Sequence, residues 1–183
     1  MAPERAGRPH NFKSSAKKRV PSLLRDCPFE HPENTGNWPP IHRFPAKGNW
    51  EMILVPNKFP ALRQEPFCAT EEREGVHDRM DGIGWHDLLV TRDHRKDFPN
   101  LSPAAAARVF AMFQERYRDA AKDKCLKYVS AFGNWGVSAG ASLFHPHYQL
   151  LALPIIPPHV NHALRGSEKY FKANGRCVHC DII

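Results

Sequence analysis

The sequence lacks long hydrophobic runs and has few cysteines. No apolar stretch approaches the roughly 18 residues that a membrane-spanning helix needs, and the first residues lack the apolar segment of a secretory signal. Five cysteines among 183 residues, an odd number without an export signal, argue against a disulfide framework. We therefore expect a cytoplasmic protein with no membrane partner, in which Cys68 and Cys125 are packed thiols.

Basic residues outnumber acidic ones most strongly in the first 20 residues. Residues 1–20 hold six lysines and arginines against one acid, whereas the remaining chain holds 20 basic and 18 acidic side chains, so most of the net charge of +7 lies on that segment. Residues 1–25 are therefore predicted to form a basic extended arm. A basic chain is a candidate for nucleic-acid binding, but an excess confined to one arm disfavours that partner. Arg5 and Arg8 either contact phosphate or are simply solvated.

Proline and glycine divide the rest of the chain into short elements. Residues 26–48 are rich in both, which predicts a long loop without regular elements, and residues 63–83 are interpreted as a polar surface excursion. The strand candidates are residues 50–55, 85–91, 126–132 and 144–153.

The clearest helix prediction runs from about residue 103 to about residue 122. Ser102 suits the N-cap, and Pro103 suits the first helical position. Apolar residues at three- and four-residue steps define one face that is predicted to be buried: Val109, Phe110, Phe113, Tyr117 and Ala121. The pattern is typical of an α+β fold, and because loops separate most strands, an antiparallel sheet with this helix packed on one face fits best.

The most informative segment is a glycine-rich turn, residues 133–142, followed by a strand with two histidines. If residues 145–153 are extended, His145, His147 and Gln149 point to the same face. Buried polar groups need partners, which a ligand-binding cleft supplies, and the small residues of the turn let backbone amides approach an anion. A neutral imidazole beside bound phosphate can attack phosphorus. Two histidines two residues apart, without other signals, are more often ordinary polar residues at a sheet edge. Here the glycine-rich turn and Gln149 occur beside them, which favours catalysis.

Several segments resemble the galactose-1-phosphate uridylyltransferase family of the histidine-triad superfamily. The segment from Gly140 to Gln149 is the most specific and resembles the active-site signature of that family. Residues 5–9 resemble its basic N-terminal motif, residues 57–62 its nucleotide-pocket loop, and residues 85–94 a strand and turn that carry a metal ligand. The resemblance covers nearly the whole chain and implies a histidine-triad-like nucleotidyltransferase domain over residues 26–158.

The resemblance implies a reaction in two steps. His147 would form a covalent nucleotidyl-histidine, and a nucleoside monophosphate, with UMP expected, would move from a nucleotide sugar to a sugar phosphate. Gln149 would bind the transferred phosphate; superfamily hydrolases carry histidine there, so glutamine favours transfer. Many relatives have an acid near Lys58, positioned for the ribose, so the preferred base stays open. The pocket would be lined by Arg5, Arg8, Asn57, Asn134 and Ser142.

The resemblance also implies a structural zinc site held by Cys27, residue 30, His94 and His145. The family typically has cysteine at the second of these positions, whereas this chain has Glu30, which can bind zinc through oxygen. His31 is an alternative ligand at this place. An empty site with a packed Cys27 thiol is the remaining alternative.

Cys177 and Cys180 form a second Cys-x-x-Cys pair and a candidate half-site for zinc. Some relatives, including plant-type ADP-sugar phosphorylases, complete such a site with histidines from a second half of the protein. Residues 159–183 are therefore expected to begin a second half or to form a C-terminal extension. The chain would then be half of a two-repeat transferase or a shortened relative, for which a homodimer is one arrangement.

Two other functions stay open at this point. One is a histidine-triad hydrolase or an ADP-sugar phosphorylase that acts on nucleotide substrates. The other is a zinc-bearing module that binds nucleic acid through the basic arm, for which binding would depend steeply on salt.

Overall fold

The computed structural model describes residues 24–36, 38–136, 139, 141 and 143–183. Most of the basic arm therefore lies outside the described residues. The same is true of three residues assigned above to the phosphate pocket, which are Arg5, Arg8 and Ser142.

A five-stranded antiparallel sheet forms the centre of the fold. Numbered along the chain, the strands are β1 (His42–Phe44), β2 (Met52–Pro56), β3 (Glu71–Glu74), β4 (His77–Met80), β5 (Trp85–Thr91), β6 (Tyr128–Gly133) and β7 (His147–Leu153). The central sheet has the order β1-β2-β5-β7-β6, and β3 and β4 form a separate hairpin within the predicted surface excursion. The antiparallel α+β class is confirmed.

Helix α1 (Pro103–Ala120) packs on one face of this sheet. The Oγ atom of Ser102 accepts a hydrogen bond from the backbone N–H of Ala105 at 3.2 Å, so the predicted N-cap is present, and Pro103 occupies the first turn. The chain beyond β7 contains two helices, α2 (Pro158–Asn174) and α3 (Val178–Asp181). Among the described residues, none of the helices has the length and hydrophobicity that crossing a bilayer requires.

Both faces of the central sheet are covered, because side chains alternate along each strand. The face toward α1 packs Met52, Leu54, Leu89, Tyr148, Val109 and Met112 together. The opposite face packs Ile53, Val55, Leu88, Val90, Cys27 and Phe29 together. Cys27 and Phe29, in the segment before β1, therefore cover the second face, and the ends of β5 and β7 carry polar side chains toward that segment.

The buried face of α1 differs from the predicted one. Phe110 and Tyr117, which were expected inside, are 63% and 43% exposed. Arg116 is buried on this helix instead; it donates to the carboxylate of Asp87 at 2.8 Å and lies 3.6 Å from the ring centroid of Trp85. The buried face of the helix thus includes an ion pair to the sheet, which a pattern of apolar residues alone does not detect.

Two further expectations are wrong. Residues 26–48 are not free of regular elements, since β1 lies within them and its three extended residues gain backbone partners in β2. Cys68 and Cys125 are not separate thiols but a disulfide, with their Cα atoms 5.0 Å apart. This bond joins the surface excursion to the turn after α1. The two cysteines are 57 residues apart in the sequence, so the sequence alone did not indicate that they are close in space.

Candidate functional site

Four side chains from three segments converge on the sheet face opposite α1. The Nδ1 atoms of His94, just after β5, and His145, just before β7, are 3.1 Å apart. The Sγ atom of Cys27 lies 3.5 Å from Nδ1 of His145. The Oε1 atom of Glu30 lies 3.3 Å from Nδ1 of His94 and 3.5 Å from Nδ1 of His145.

This cluster has the donor set of a zinc site, with three members grouped closely and Glu30 beside the two histidines. Zinc bonds of about 2.0–2.3 Å place neighbouring ligand atoms about 3.3–3.6 Å apart. The ligand atoms of Cys27, His94 and His145 all lie within 4.8 Å of one another. Oε1 of Glu30 is buried and has no hydrogen-bond partner among the described residues, which a bound cation would supply. One sulfur, two imidazole nitrogens and one carboxylate oxygen therefore fit zinc.

The ring of His145 is oriented for this role by the backbone. Its Nε2 atom lies 2.6 Å from the carbonyl oxygen of Thr91, so Nε2–H donates and the Nδ1 lone pair faces the cluster. Burial lowers the pKa of His145 to about 4, against the opposing effect of the Thr91 carbonyl, so the ring is neutral at pH 7. Burial also raises the pKa of the Cys27 thiol.

His147 lies at the start of β7 with its ring orientation fixed in the same way. Its Nδ1 atom is 2.9 Å from the carbonyl oxygen of His145. A carbonyl oxygen only accepts, so Nδ1 carries the hydrogen and Nε2 keeps its lone pair. The ring packs against Phe29, with centroids 5.3 Å apart, and it borders a pocket of about 220 Å³ that Asn134 also lines.

Gln149 is held by a second histidine. The backbone N–H of Ala61 donates to Nδ1 of His86 at 2.8 Å, so Nε2 of His86 carries the hydrogen and donates to Oε1 of Gln149 at 3.0 Å. The amide NH₂ of Gln149 is thereby left for other acceptors. Asn57 reaches the same ring, with Nδ2 3.0 Å from Nε2 of His86, while its Oδ1 accepts from the N–H of Phe59 at 2.9 Å. Since Nε2–H of His86 and the Nδ2 amide of Asn57 are both donors, the approach of Asn57 is a contact rather than a hydrogen bond.

The second cysteine pair lies apart from this cluster. Cys177 precedes α3 and Cys180 lies within it, and both are exposed free thiols. Within the part of the chain that the structure describes, neither cysteine belongs to a group of three or more metal-binding side chains.

Sequence reasoning assigned no role to Phe29, His86 or Arg92. His86 could have been found from strand alternation, since it shares a face of β5 with Leu88 and Val90, beside β7. Phe29 had only its place beside Cys27 as a signal. Arg92, which contacts Glu30, gave no signal because the two residues are 62 positions apart.

Comparisons with known proteins find relatives of this chain. The family model described as "Galactose-1-phosphate uridyl transferase, N-terminal domain" matches residues 55–157. An ADP-glucose phosphorylase of Arabidopsis thaliana is 31% identical over 184 residues, covering 99% of this chain and 52% of that protein. A galactose-1-phosphate uridylyltransferase of Thermotoga maritima is 25% identical over 135 residues, covering 73% of this chain and 42% of that protein.

A solved structure extends these similarities to the fold. The crystal structure of an ADP-glucose phosphorylase from Arabidopsis thaliana with bound ADP-glucose matches with a TM-score of 0.68 and 28% identity, over 98% of this chain and 53% of that one. The chain spans about half the length of the curated relatives it matches.

Proposed function

This chain belongs to the galactose-1-phosphate uridyl transferase family, and on that premise we propose that it transfers a nucleoside monophosphate from a nucleotide sugar through a covalent bond to His147. The observation that carries the proposal is the hydrogen bond from Nδ1 of His147 to the carbonyl of His145, which leaves the lone pair of Nε2 as the nucleophile.

The chemistry needs no proton to leave His147. Nε2 attacks the α-phosphorus of the nucleotide sugar, the bond from that phosphorus to the bridging oxygen breaks, and the sugar 1-phosphate leaves with the electron pair. The imidazole becomes cationic while Nδ1–H continues to donate to the carbonyl of His145. In the second half-reaction, a phosphate oxygen of the acceptor attacks phosphorus, and the P–N bond breaks to restore the neutral ring.

Gln149 and Asn57 are assigned to the bound nucleotide. Because Oε1 of Gln149 accepts from His86, its NH₂ group is directed at a non-bridging oxygen of the transferred phosphate. Asn57 borders a groove of about 430 Å³ that Lys58 and Trp85 also line, and this groove would take the nucleoside. Asn134 is assigned to the pocket beside His147. Arg5, Arg8 and Ser142 stay predictions for the phosphate side.

We also propose that Cys27, Glu30, His94 and His145 hold a zinc ion. When bound, zinc would cross-link the segment before β1 to the ends of β5 and β7. This link would fix the backbone at His145, whose carbonyl orients His147.

Two nucleotide donors have specific support. The 31% identity to an ADP-glucose phosphorylase over 99% of this chain supports an ADP-sugar, with AMP passed to phosphate. The family match supports the UDP-sugar and hexose 1-phosphate pair expected from the sequence.

Intact-mass spectrometry of the full chain tests the proposal. After incubation with ADP-glucose or UDP-glucose and no acceptor, we expect one AMP or one UMP added to the wild type and to the control His77→Asn, which changes an exposed histidine of β4. The adduct should be absent from His147→Asn of equal thermal stability, and phosphate or a hexose 1-phosphate should remove it. No adduct with either sugar, or an adduct that persists in His147→Asn, refutes the proposal; free AMP or UMP without an adduct indicates a hydrolase.

A further inference from the structure

We infer that Arg92 is a positioning residue that holds Glu30 as a single-oxygen metal ligand, where the family pattern has a cysteine. The inference rests on the proposed metal site and concerns how this chain completes it with a carboxylate.

Arg92 contacts Glu30 at two points. Its Nη1 donates to the backbone carbonyl of Glu30 at 3.0 Å, and its Nη2 lies 3.4 Å from Oε2 of the same residue. The guanidinium is itself placed by Trp50, whose ring centroid is 4.7 Å away. The two carboxylate oxygens are thus divided, with Oε2 toward Arg92 and Oε1 toward the two histidines.

A carboxylate at this position needs such a partner, whereas a thiolate does not. Cysteine offers one sulfur on a short side chain, but glutamate has more rotatable bonds and two equivalent oxygens. Ordering it costs side-chain entropy, and an oxygen that does not bind metal must find a hydrogen-bond donor. The Glu30 side chain is only 12% exposed, so water has limited access to its carboxylate. The rigid donor fork of arginine supplies that partner and limits Glu30 to one oxygen at the metal.

The role of Arg92 is mainly geometric. A thiolate and a carboxylate balance the charge of a divalent cation as two thiolates would, so the site needs no further positive charge. The Arg92 side chain is 47% exposed, which lets solvent screen its charge. Lysine at this position would keep the charge but lose the two-point contact, so it separates the two effects.

The test measures zinc affinity of the full chain by competition with a chelator, in two backgrounds. In the wild-type background, Arg92→Met should weaken zinc binding about 10- to 100-fold, the usual loss when a partner of a metal ligand is removed, and Arg92→Lys should cause most of that loss. In the Glu30→Cys background, adding Arg92→Met should cause a clearly smaller loss, because only the contact with the backbone carbonyl of residue 30 is then removed. The matched control is Arg95→Met, an exposed arginine beside His94.

Cobalt substitution gives a second measurement that loss of general stability would not produce. The sulfur-to-cobalt absorption should report one thiolate in the wild type and two in Glu30→Cys. Arg92→Met should lose tetrahedral d–d intensity only when residue 30 is glutamate.

The results distinguish failure of the role of Arg92 from failure of the metal site and of nucleotidyl transfer. An unchanged affinity in Arg92→Met, or an equal loss in both backgrounds, overturns the role of Arg92. If the wild type binds no stoichiometric zinc or cobalt, the metal site and this inference both fail. The labelling of His147 is measured independently and can still succeed, so nucleotidyl transfer would stand in that case.

Discussion

The carbonyl oxygen of His145 lies 2.9 Å from Nδ1 of His147, so the backbone of one histidine selects the tautomer of the other. The ring of His145 meanwhile faces Cys27 and His94. One residue therefore links the candidate metal site to the candidate nucleophile, and any displacement of its backbone changes the direction of the His147 lone pair.

This relationship predicts the ring state of His147. Nitrogen-15 NMR of the full chain at neutral pH should show Nδ1 as the protonated, pyrrole-type nitrogen and Nε2 as the unprotonated, pyridine-type nitrogen, because Nδ1–H is held by a carbonyl. His162, which is exposed on α2, is the internal reference and should show tautomers in exchange. Observation of Nε2–H on His147 would remove the proposed nucleophile.

The contact between His86 and Gln149 predicts a kinetic effect. His86→Leu removes the donor to Oε1 of Gln149, so the amide can turn its oxygen toward phosphate. We expect nucleotidylation of His147 to slow about tenfold, which corresponds to one hydrogen bond of about 1.4 kcal/mol. Single-turnover labelling with saturating nucleotide sugar measures the rate.

The control for this prediction is His162→Leu, which changes an exposed histidine and should leave the rate unchanged. Gln149→Leu combined with His86→Leu should be no slower than Gln149→Leu alone, since His86 is argued to act through that amide. If the rate loss in the double variant equals the sum of the losses in the two single variants, expressed as free energies, His86 acts by a route that does not involve Gln149.

Local elements of the fold were predictable because their signals are local. The bounds of β5 were predicted correctly, because a run of mostly apolar residues is followed by a polar turn. All seven residues of this strand are buried. The start of α1 followed from Ser102 and Pro103. The buried face of α1 was not predictable, because it includes Arg116, which meets Asp87 across 29 residues of sequence.

The candidate site shows the same division. Alternation along β7 was enough to place His147 and Gln149 on one side of the strand, away from α1. The meeting of Cys27 with His145 spans 118 residues, and only resemblance to a family suggested it. The contacts of Arg92 and His86 depend on strand register and loop conformation, which one sequence does not reveal.

The buried pair of Arg116 and Asp87 predicts a large effect on stability. Burial raises the pKa of Asp87 even with the Arg116 guanidinium beside it, so the carboxylate depends on that partner. Arg116→Met should lower the free energy of unfolding by about 3–5 kcal/mol, because it leaves a buried charge without a partner. Urea denaturation measures this, and Arg118→Met, at an exposed position of α1, should change it by no more than about 0.5 kcal/mol.

A double variant tests the cause of that loss. Replacing both partners, as Asp87→Leu with Arg116→Met, should recover much of the stability, because no buried charge is then left without a partner. A double variant as unstable as the sum of the single variants would attribute the loss to packing against Trp85 instead.

Asp119, near the end of α1, predicts part of the pH dependence of stability. Hydrogen bonds from His42 and then Lys122 hold the pKa of Asp119 below its ordinary value, and Arg116 lies 3.9 Å away. A carboxyl whose pKa is lowered by folding stabilises the protein above its unfolded pKa of about 4, and this contribution is lost as the pH falls through the folded pKa.

Asp119→Asn should therefore be less stable than the wild type at pH 7, and the difference should shrink as the pH falls below about 4. Urea unfolding at steps of pH measures the difference between the two chains, so that titrating groups common to both cancel. Glu72→Gln, an exposed change in β3, is the control and should differ from the wild type by a small amount that does not converge in this way. A difference between Asp119→Asn and wild type that is constant from pH 7 to pH 3 would show that Asp119 stabilises the end of α1 by hydrogen-bond geometry alone, without dependence on its charge.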